Sequence, residues 1–195
     1  MKLLVTGAGG FLGAAIIDQA VKAGLDVVAL TRSEHAPRLA ALGGAIRHHG
    51  IDMRDREAVR AILAGEAPDV VVHTAWAGLD SAARASAQQL EHNLIPSCHL
   101  VEDAAAAGVG KFIGIGSQGE YGPLNRRVSE DDAPAPTSLY GAAKLAAFHL
   151  GRVTAEQAGM PFAWMRLFAT YGPGDNPNWL IPSLASQMLE GHAPD

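Results

Sequence analysis

Tyr140 and Lys144 stand four residues apart in PTSLYGAAKLAAFHL. On a helix, positions i and i+4 share one face about one turn apart, so a phenol and an ammonium at these positions address the same small volume. A phenol beside a cation gives up its proton more readily, which suits such a pair to proton exchange near neutrality. Taken alone, a YxxxK spacing is common, and its plain alternative is an aromatic residue plus a solvated lysine. Its weight comes from two other features of the chain: the glycine loop TGAGGFLG near the start, and a serine, Ser117, upstream in IGIGSQGEYG.

The glycine loop reads as a phosphate cradle. MKLLVTG has the pattern of a buried parallel strand running into Gly7, Gly10 and Gly13, and AAIIDQAVKAG then follows helical apolar spacing and stops at Gly24. The spacing GxxGxxG is wider at its first interval than the GxGxxG dinucleotide fingerprint, yet each glycine has a job of the same kind. Gly7 permits the turn, Gly10 lets backbone approach a pyrophosphate, and Gly13 lets helix and strand pack closely. Free amides around Phe11 and Leu12 are then left at a helix N-terminus to bind the anion. The alternative, a glycine-rich turn without a ligand, explains the strand–turn–helix context less well.

Six apolar runs alternate with helical patterns: Lys2 to Thr6, Asp26 to Thr31, Ala45 to His48, Val70 to Thr74, Lys111 to Ile115 and Phe162 to Leu167. This alternation predicts an α/β fold with a doubly wound parallel sheet. Alanine-rich helices are expected over Ser81 to Ala107 and Ser138 to Ala158, with apolar faces wider than the sheet alone requires. A polar, proline-broken loop, RRVSEDDAPAPTS, leads into the tyrosine helix, and a short helical pattern runs from Ile181 to Glu190.

Composition sets limits. With 195 residues, 48% hydrophobic content and a net charge of −5, one substantial core is expected and no nucleic-acid surface. The apolar start is too short for a signal peptide, and no run approaches a membrane span. The single cysteine, Cys98, excludes an internal disulfide, fits a reducing cytosol and reads best as a small buried hydrophobe. Eight histidines, His48 and His49 among them, show no metal-site spacing, so no metal is expected.

Together these motifs resemble the extended short-chain dehydrogenase/reductase family, the NAD-dependent epimerase/dehydratase group that acts mainly on nucleotide sugars. The resemblance runs along the whole chain and includes Asp52 in GIDMRD, the VVHTAWAG segment around His73, Asn93 in HNLIPS, and RLFATYGPGDN. It implies a Rossmann domain over residues 1–175 binding NAD(P), with 176–195 opening a substrate-binding region. Family members continue further, so the small substrate domain is expected to be largely missing from this sequence. By resemblance, Ser117, Tyr140 and Lys144 form the catalytic set. Tyr140 exchanges the hydroxyl proton as hydride moves, Ser117 orients the same oxygen, and Lys144 also holds the nicotinamide ribose. Cofactor contacts are implied at Gly7, Gly10, Phe11, Leu12, Gly13, Thr31, Arg32, Asp52, Met53, Ala75, Trp76, Ala77, Asn93, Tyr140, Lys144 and Leu167. Asp52 and Met53 would flank the adenine, and Leu167 to Thr170 would lie near the nicotinamide. The two alanine-rich helices would form the usual dimer bundle, although packing within one domain accounts for their apolar faces equally well.

Departures from the family refine the expectation. Family dehydratases carry an Asp-Glu pair directly after the serine or threonine, whereas this chain has Gln118 and Gly119. Glu120 is displaced by one position, which on an extended segment points it to the opposite face. A 4-keto reductase or an epimerase is therefore expected rather than a dehydratase, and the GSQGEYG wording resembles enzymes of cell-surface polysaccharide pathways. Where NAD-preferring relatives place an aspartate, Thr31 is followed by Arg32, which removes repulsion against a 2′-phosphate and offers a guanidinium to it. NADP is favoured over NAD. Trp76 replaces a small residue and either walls the nicotinamide side of the pocket or fills core. Against the enzyme stands a second class, a non-catalytic dinucleotide-binding module, kept open by the short chain.

Overall fold

The computed structural model describes residues 1–191 of the chain. Six strands, β1 (Lys2–Thr6), β2 (Asp26–Thr31), β3 (Arg47–Gly50), β4 (Val70–His73), β5 (Lys111–Ser117) and β6 (Phe162–Leu167), form one parallel sheet in the order β3-β2-β1-β4-β5-β6. This is the doubly wound α/β order, in which the chain reverses direction across the sheet between β1 and β4. The third strand starts two residues later than expected, because Pro37–Ala45 is taken up by 3-10 turns.

Strand periodicity distributes the core. Leu4, Val28, Leu30, Val71 and Phe112 face one side and pack against α2 (Arg56–Glu66), α4 (Ile95–Ala106) and α5 (Leu139–Gln157). Leu3, Val5, Val27, Ala29 and Val72 face the other side and meet Ile17 and Ala20 of α1 (Phe11–Lys22). Both faces are covered over β1, β2 and β4, as an all-parallel sheet requires, while Met165 on β6 is 52% exposed. A last helix, α6, spans Leu180–Leu189.

The expected single helix over Ser81 to Ala107 is broken into three pieces: α3 (Ser81–Arg84), a π-helical turn over Leu90–Leu94, and α4. Asp80 caps α3, accepting from Ala83 N at 3.0 Å. Pro96 sits in the first turn of α4 and has no N–H to donate back to the His92 carbonyl, which accounts for the widened turn just before it.

Candidate functional site

The carboxyl ends of the strands open into a cleft of about 1230 Å³, lined by every residue that the sequence nominates for catalysis or cofactor contact. At its floor Gly7 has φ +65°, and a Cβ there would lie 2.6 Å from Ala75 N. A Cβ at Gly13 would fall 2.3 Å from Gly7 O and 2.9 Å from Ala8 Cα, so α1 can approach the end of β1 this closely only with glycine. Gly10 is the N-cap of α1 and supplies no side-chain acceptor, and the first turn carries no acidic residue. The amides of Phe11, Leu12 and Gly13 therefore have no intrahelical partner, and the helix dipole favours an anion beside them. A dinucleotide pyrophosphate fits this cradle.

Further along, close approach between α5 and the turn after β5 assembles the tyrosine and the serine. Ser138 caps α5, accepting from Gly141 N at 3.1 Å, which places Tyr140 in the first turn and Lys144 one turn on. A Cβ at Gly141 would stand 2.2 Å from Gly119 O, so the helix touches that turn because Gly141 has no side chain. Gly119 in turn lies between the two functional groups: a Cβ added there would be 3.5 Å from Ser117 Oγ and 3.6 Å from the Tyr140 ring. Ser117 Oγ accepts from Gly119 N at 3.1 Å, leaving its own proton available to donate.

Lys144 is not the solvated lysine of the plain alternative. It is 4% exposed, donates to Ile115 O at 2.6 Å, and its Nζ lies 3.7 Å from the centroid of the Trp76 ring. Burial draws its pKa down to about 7, against the opposing pull of the Glu120 carboxylate. At neutral pH its charge is thus sensitive to what surrounds it. Trp76 also meets the Tyr140 ring at 86° with centroids 6.0 Å apart, and the Arg84 guanidinium lies 4.8 Å from the centroid of that ring.

The loop after β4 hangs on a hydrogen-bond relay. Ser97 Oγ donates to Asn93 O (2.7 Å), so it accepts from His73 Nε2 (2.8 Å), and His73 Nδ1 accepts from Thr6 Oγ1 (2.7 Å). Thr6 Oγ1 also receives Ala75 N at 3.3 Å. Burial pushes the His73 pKa down to about 3, with the Lys144 charge adding to the effect, so the ring is neutral. Asn93 lines the cleft while its carboxamide latches the loop: Oδ1 accepts from Ala77 N at 2.7 Å and Nδ2 donates to Ala77 O at 2.9 Å. At the adenosine end, Thr31 Oγ1 donates to Ser33 O (2.5 Å) and contacts His48 Nε2 (2.6 Å), and Arg32 is exposed on the cleft wall. Hydrogen bonds from Arg54 hold the Asp52 carboxylate down at about 2.

Glu120 is the residue whose surroundings the sequence reading misjudged. Residues Gln118–Glu120 form a 3-10 turn rather than an extended segment, and Glu120 is wholly buried. Its Oε1 accepts from Ser117 N (2.9 Å) and Trp164 Nε1 (3.0 Å), completing a capping box with Ser117, and its Oε2 accepts from Arg166 Nε (2.7 Å). Space for this comes from alternate glycines: a Cβ at Gly114 would lie 2.2 Å from Trp164 Cε3, and one at Gly116 would lie 2.5 Å from Glu120 Oε1. The parallel pairing sets Gly114 opposite Trp164 and Gly116 opposite Arg166, so GIG facing WMR was the available signal.

The pattern that defines the NAD dependent epimerase/dehydratase family matches residues 3–195. The chain belongs to that family. Among curated relatives it is 29% identical over 220 residues to dTDP-glucose 4,6-dehydratase 1 of Escherichia coli (strain K12), covering 99% of this chain and 61% of the relative. Among solved structures, the UDP-glucose 4-epimerase of Thermotoga maritima with UDP-glucose superposes with a TM-score of 0.87 at 25% identity, covering 98% of this chain and 64% of that one. The UDP-glucuronic acid 4-epimerase of Bacillus cereus in complex with UDP-glucuronic acid and NAD gives 0.83 at 28% identity, with 98% and 64% covered. The chain thus spans about three fifths of the length of these relatives. No described helix is long and apolar enough to cross a membrane.

Proposed function

We propose that the protein is an NAD(P)-dependent oxidoreductase or epimerase acting at C4 of a nucleotide sugar, by 4-keto reduction or 4-epimerisation. The observation that carries this reading is the convergence of Ser117 Oγ and the Tyr140 ring on Gly119, inside the cleft that the glycine cradle shares. A bound nicotinamide would supply hydride transfer. Tyr140 moves the proton at the sugar oxygen, Ser117 donates a hydrogen bond that orients it, and Lys144 places a tunable positive charge one turn away. Gly119 has no side chain and the Gln118 carboxamide is neither an acid nor a base near neutral pH, so the two positions after Ser117 lack the acid and base that eliminating water demands. This separates the proposal from the dehydratase chemistry named for the Escherichia coli relative.

We also infer NADP as the favoured cofactor over NAD, from Thr31 and Arg32, even though the solved relatives named above include a complex with NAD. A homodimer through the Ser81–Ala107 and Ser138–Ala158 segments is supported by exposed Leu90, Ile95, Leu139, Leu150 and Val153. Residues 1–175 would form the cofactor domain and 176–195 the start of a substrate-binding region. Exposed Leu180, Ile181, Met188 and Leu189 on α6 support that division, while 192–195 lie outside the described residues.

Product mass tests the reaction. Incubated with reduced cofactor and a 4-keto sugar nucleotide, the protein should yield a product two hydrogens heavier, or, with oxidised cofactor and an unmodified sugar nucleotide, one of unchanged mass and inverted C4. Release of water to form a 4-keto-6-deoxy sugar would overturn the proposal. Cofactor binding without turnover on any nucleotide sugar would favour the non-catalytic reading.

A further inference from the structure

Lys144 is a buried cation whose surroundings lack a contacting counterion. Among the described residues its ammonium makes one hydrogen bond, to the Ile115 carbonyl, and no carboxylate comes within ion-pair distance. What covers it is aromatic: Trp76 with Nζ 3.7 Å from its ring centroid, and Trp164 at 5.9 Å. The face of an indole carries negative potential and takes up such a charge where water is excluded.

Trp76 is itself held in place. Its Nε1 donates to Gln89 Oε1 at 2.8 Å, and Gln89, 3% exposed, is fixed by donating to Gly78 O at 3.1 Å and Ala83 O at 3.0 Å. Asn93 Nδ2 donates to the same Gln89 oxygen at 2.8 Å. A buried indole needs a partner for its N–H in any case, and here that partner is itself fixed on two sides. Here its N–H, its face and its right-angle contact with Tyr140 tie the loop after β4 to Tyr140, assigned to proton transfer, and to Lys144, assigned to supply charge.

We propose that Trp76 is the positioning residue of this site: an indole clamp, anchored by Gln89, that sets Lys144 and Tyr140 relative to each other. The proposal rests on the catalytic reading of those two side chains. A clamp acts on kcat more than on KM, since a misplacement of about 1 Å at a reacting group can cost roughly a hundredfold in rate.

The chain contains four lysines, so isotope-labelled lysine gives a spectrum in which Lys144 is assigned by Lys144→Arg. In the parent, the Lys144 ε-methylene signal should be shifted upfield from the other three by the Trp76 ring current. Trp76→Leu should abolish that shift and lower kcat by tenfold to a hundredfold with KM for the sugar changed only a few-fold. Trp76→Phe keeps an aromatic face without the Gln89 bond, and should retain part of the shift and recover only part of kcat. The clamp is overturned if the parental Lys144 signal is unshifted, if Trp76→Leu leaves it in place, or if Trp76→Phe keeps the shift yet loses as much kcat as Trp76→Leu. A shifted Lys144 in a parent with no turnover overturns the catalytic reading and leaves the indole–ammonium contact standing.

Discussion

Glu120 Oε2 accepts a hydrogen bond from Arg166 Nε at 2.7 Å in the interior, directly beneath Ser117. The same carboxylate receives the Ser117 amide and the Trp164 indole N–H, while Arg166 Nη1 donates to Tyr121 OH at 3.2 Å. The guanidinium also lies 4.9 Å from the centroids of both Tyr121 and Phe148. Glu120 therefore connects the serine at the end of β5 to the edge strand β6, and its charge is the one that opposes the fall in the Lys144 pKa.

Removing one partner of a buried ion pair leaves the other charge uncompensated. Glu120→Ala should destabilise the fold by about 3 to 5 kcal/mol, as such deletions do elsewhere. Glu120→Gln keeps an acceptor for Ser117 N and Trp164 Nε1 but leaves the Arg166 guanidinium uncompensated and facing an amide N–H, so it should recover only part of that loss. Urea unfolding of the three proteins decides it, and equal midpoints for parent and Glu120→Ala would show that the pair is not holding the turn.

Much of the fold was legible because parallel strands buried on both faces read as short apolar runs, and β1, β2 and β6 fall where those runs place them. That the nominated residues line one cleft was legible for a related reason: glycine spacing and the i, i+4 pair are local patterns that survive folding. Long-range compensation was not. Glu120 looked displaced because nothing near it in sequence shows Arg166 and Trp164 arriving across the sheet, and the helix containing Pro96 looked continuous because alanine content outweighed one missing N–H. Gln89 and Arg84 lay in a helical pattern whose break brings them to Trp76 and Tyr140.

The role proposed for the Tyr140 hydroxyl is proton transfer, while the ring that phenylalanine retains is enough for its contact with the cofactor. Tyr140→Phe should abolish turnover, leaving dinucleotide affinity within a few-fold, whereas Lys144→Ala should damage both. Steady-state rates and cofactor titration on the two variants separate the roles. Turnover near the parental rate in Tyr140→Phe would remove the residue from the chemistry.

Arg32 is exposed on the cleft wall directly after Thr31, so the last residue of β2 is not a carboxylate that would repel a 2′-phosphate. Charge-assisted hydrogen bonds are worth about 1.5 to 3 kcal/mol, so Arg32→Ala should weaken NADP binding roughly tenfold or more and leave NAD nearly unchanged. Calorimetric titration of both cofactors is the measurement. Equal losses, or a parent that already prefers NAD, would reduce Arg32 to a solvated surface residue.

His73 sets an acid limit on stability. In the folded protein its pKa is pushed down to about 3, against an ordinary value of 6.5, because the ring is buried and the Lys144 charge adds to the effect. Above about pH 6.5 the ring is neutral in both states, and the group contributes no pH dependence. Between 6.5 and about 3 the unfolded chain takes up a proton that the folded one does not. Stability then falls as pH falls, by about 1.4 kcal/mol per pH unit from this one group. His73→Gln removes the titrating ring, so the gap between its unfolding free energy and that of the parent should narrow by about 2 kcal/mol from pH 6.5 to pH 5. Parallel pH profiles for the two proteins would mean that His73 takes up its proton in the folded state, and that the relay from Thr6 to Asn93 tolerates the charge.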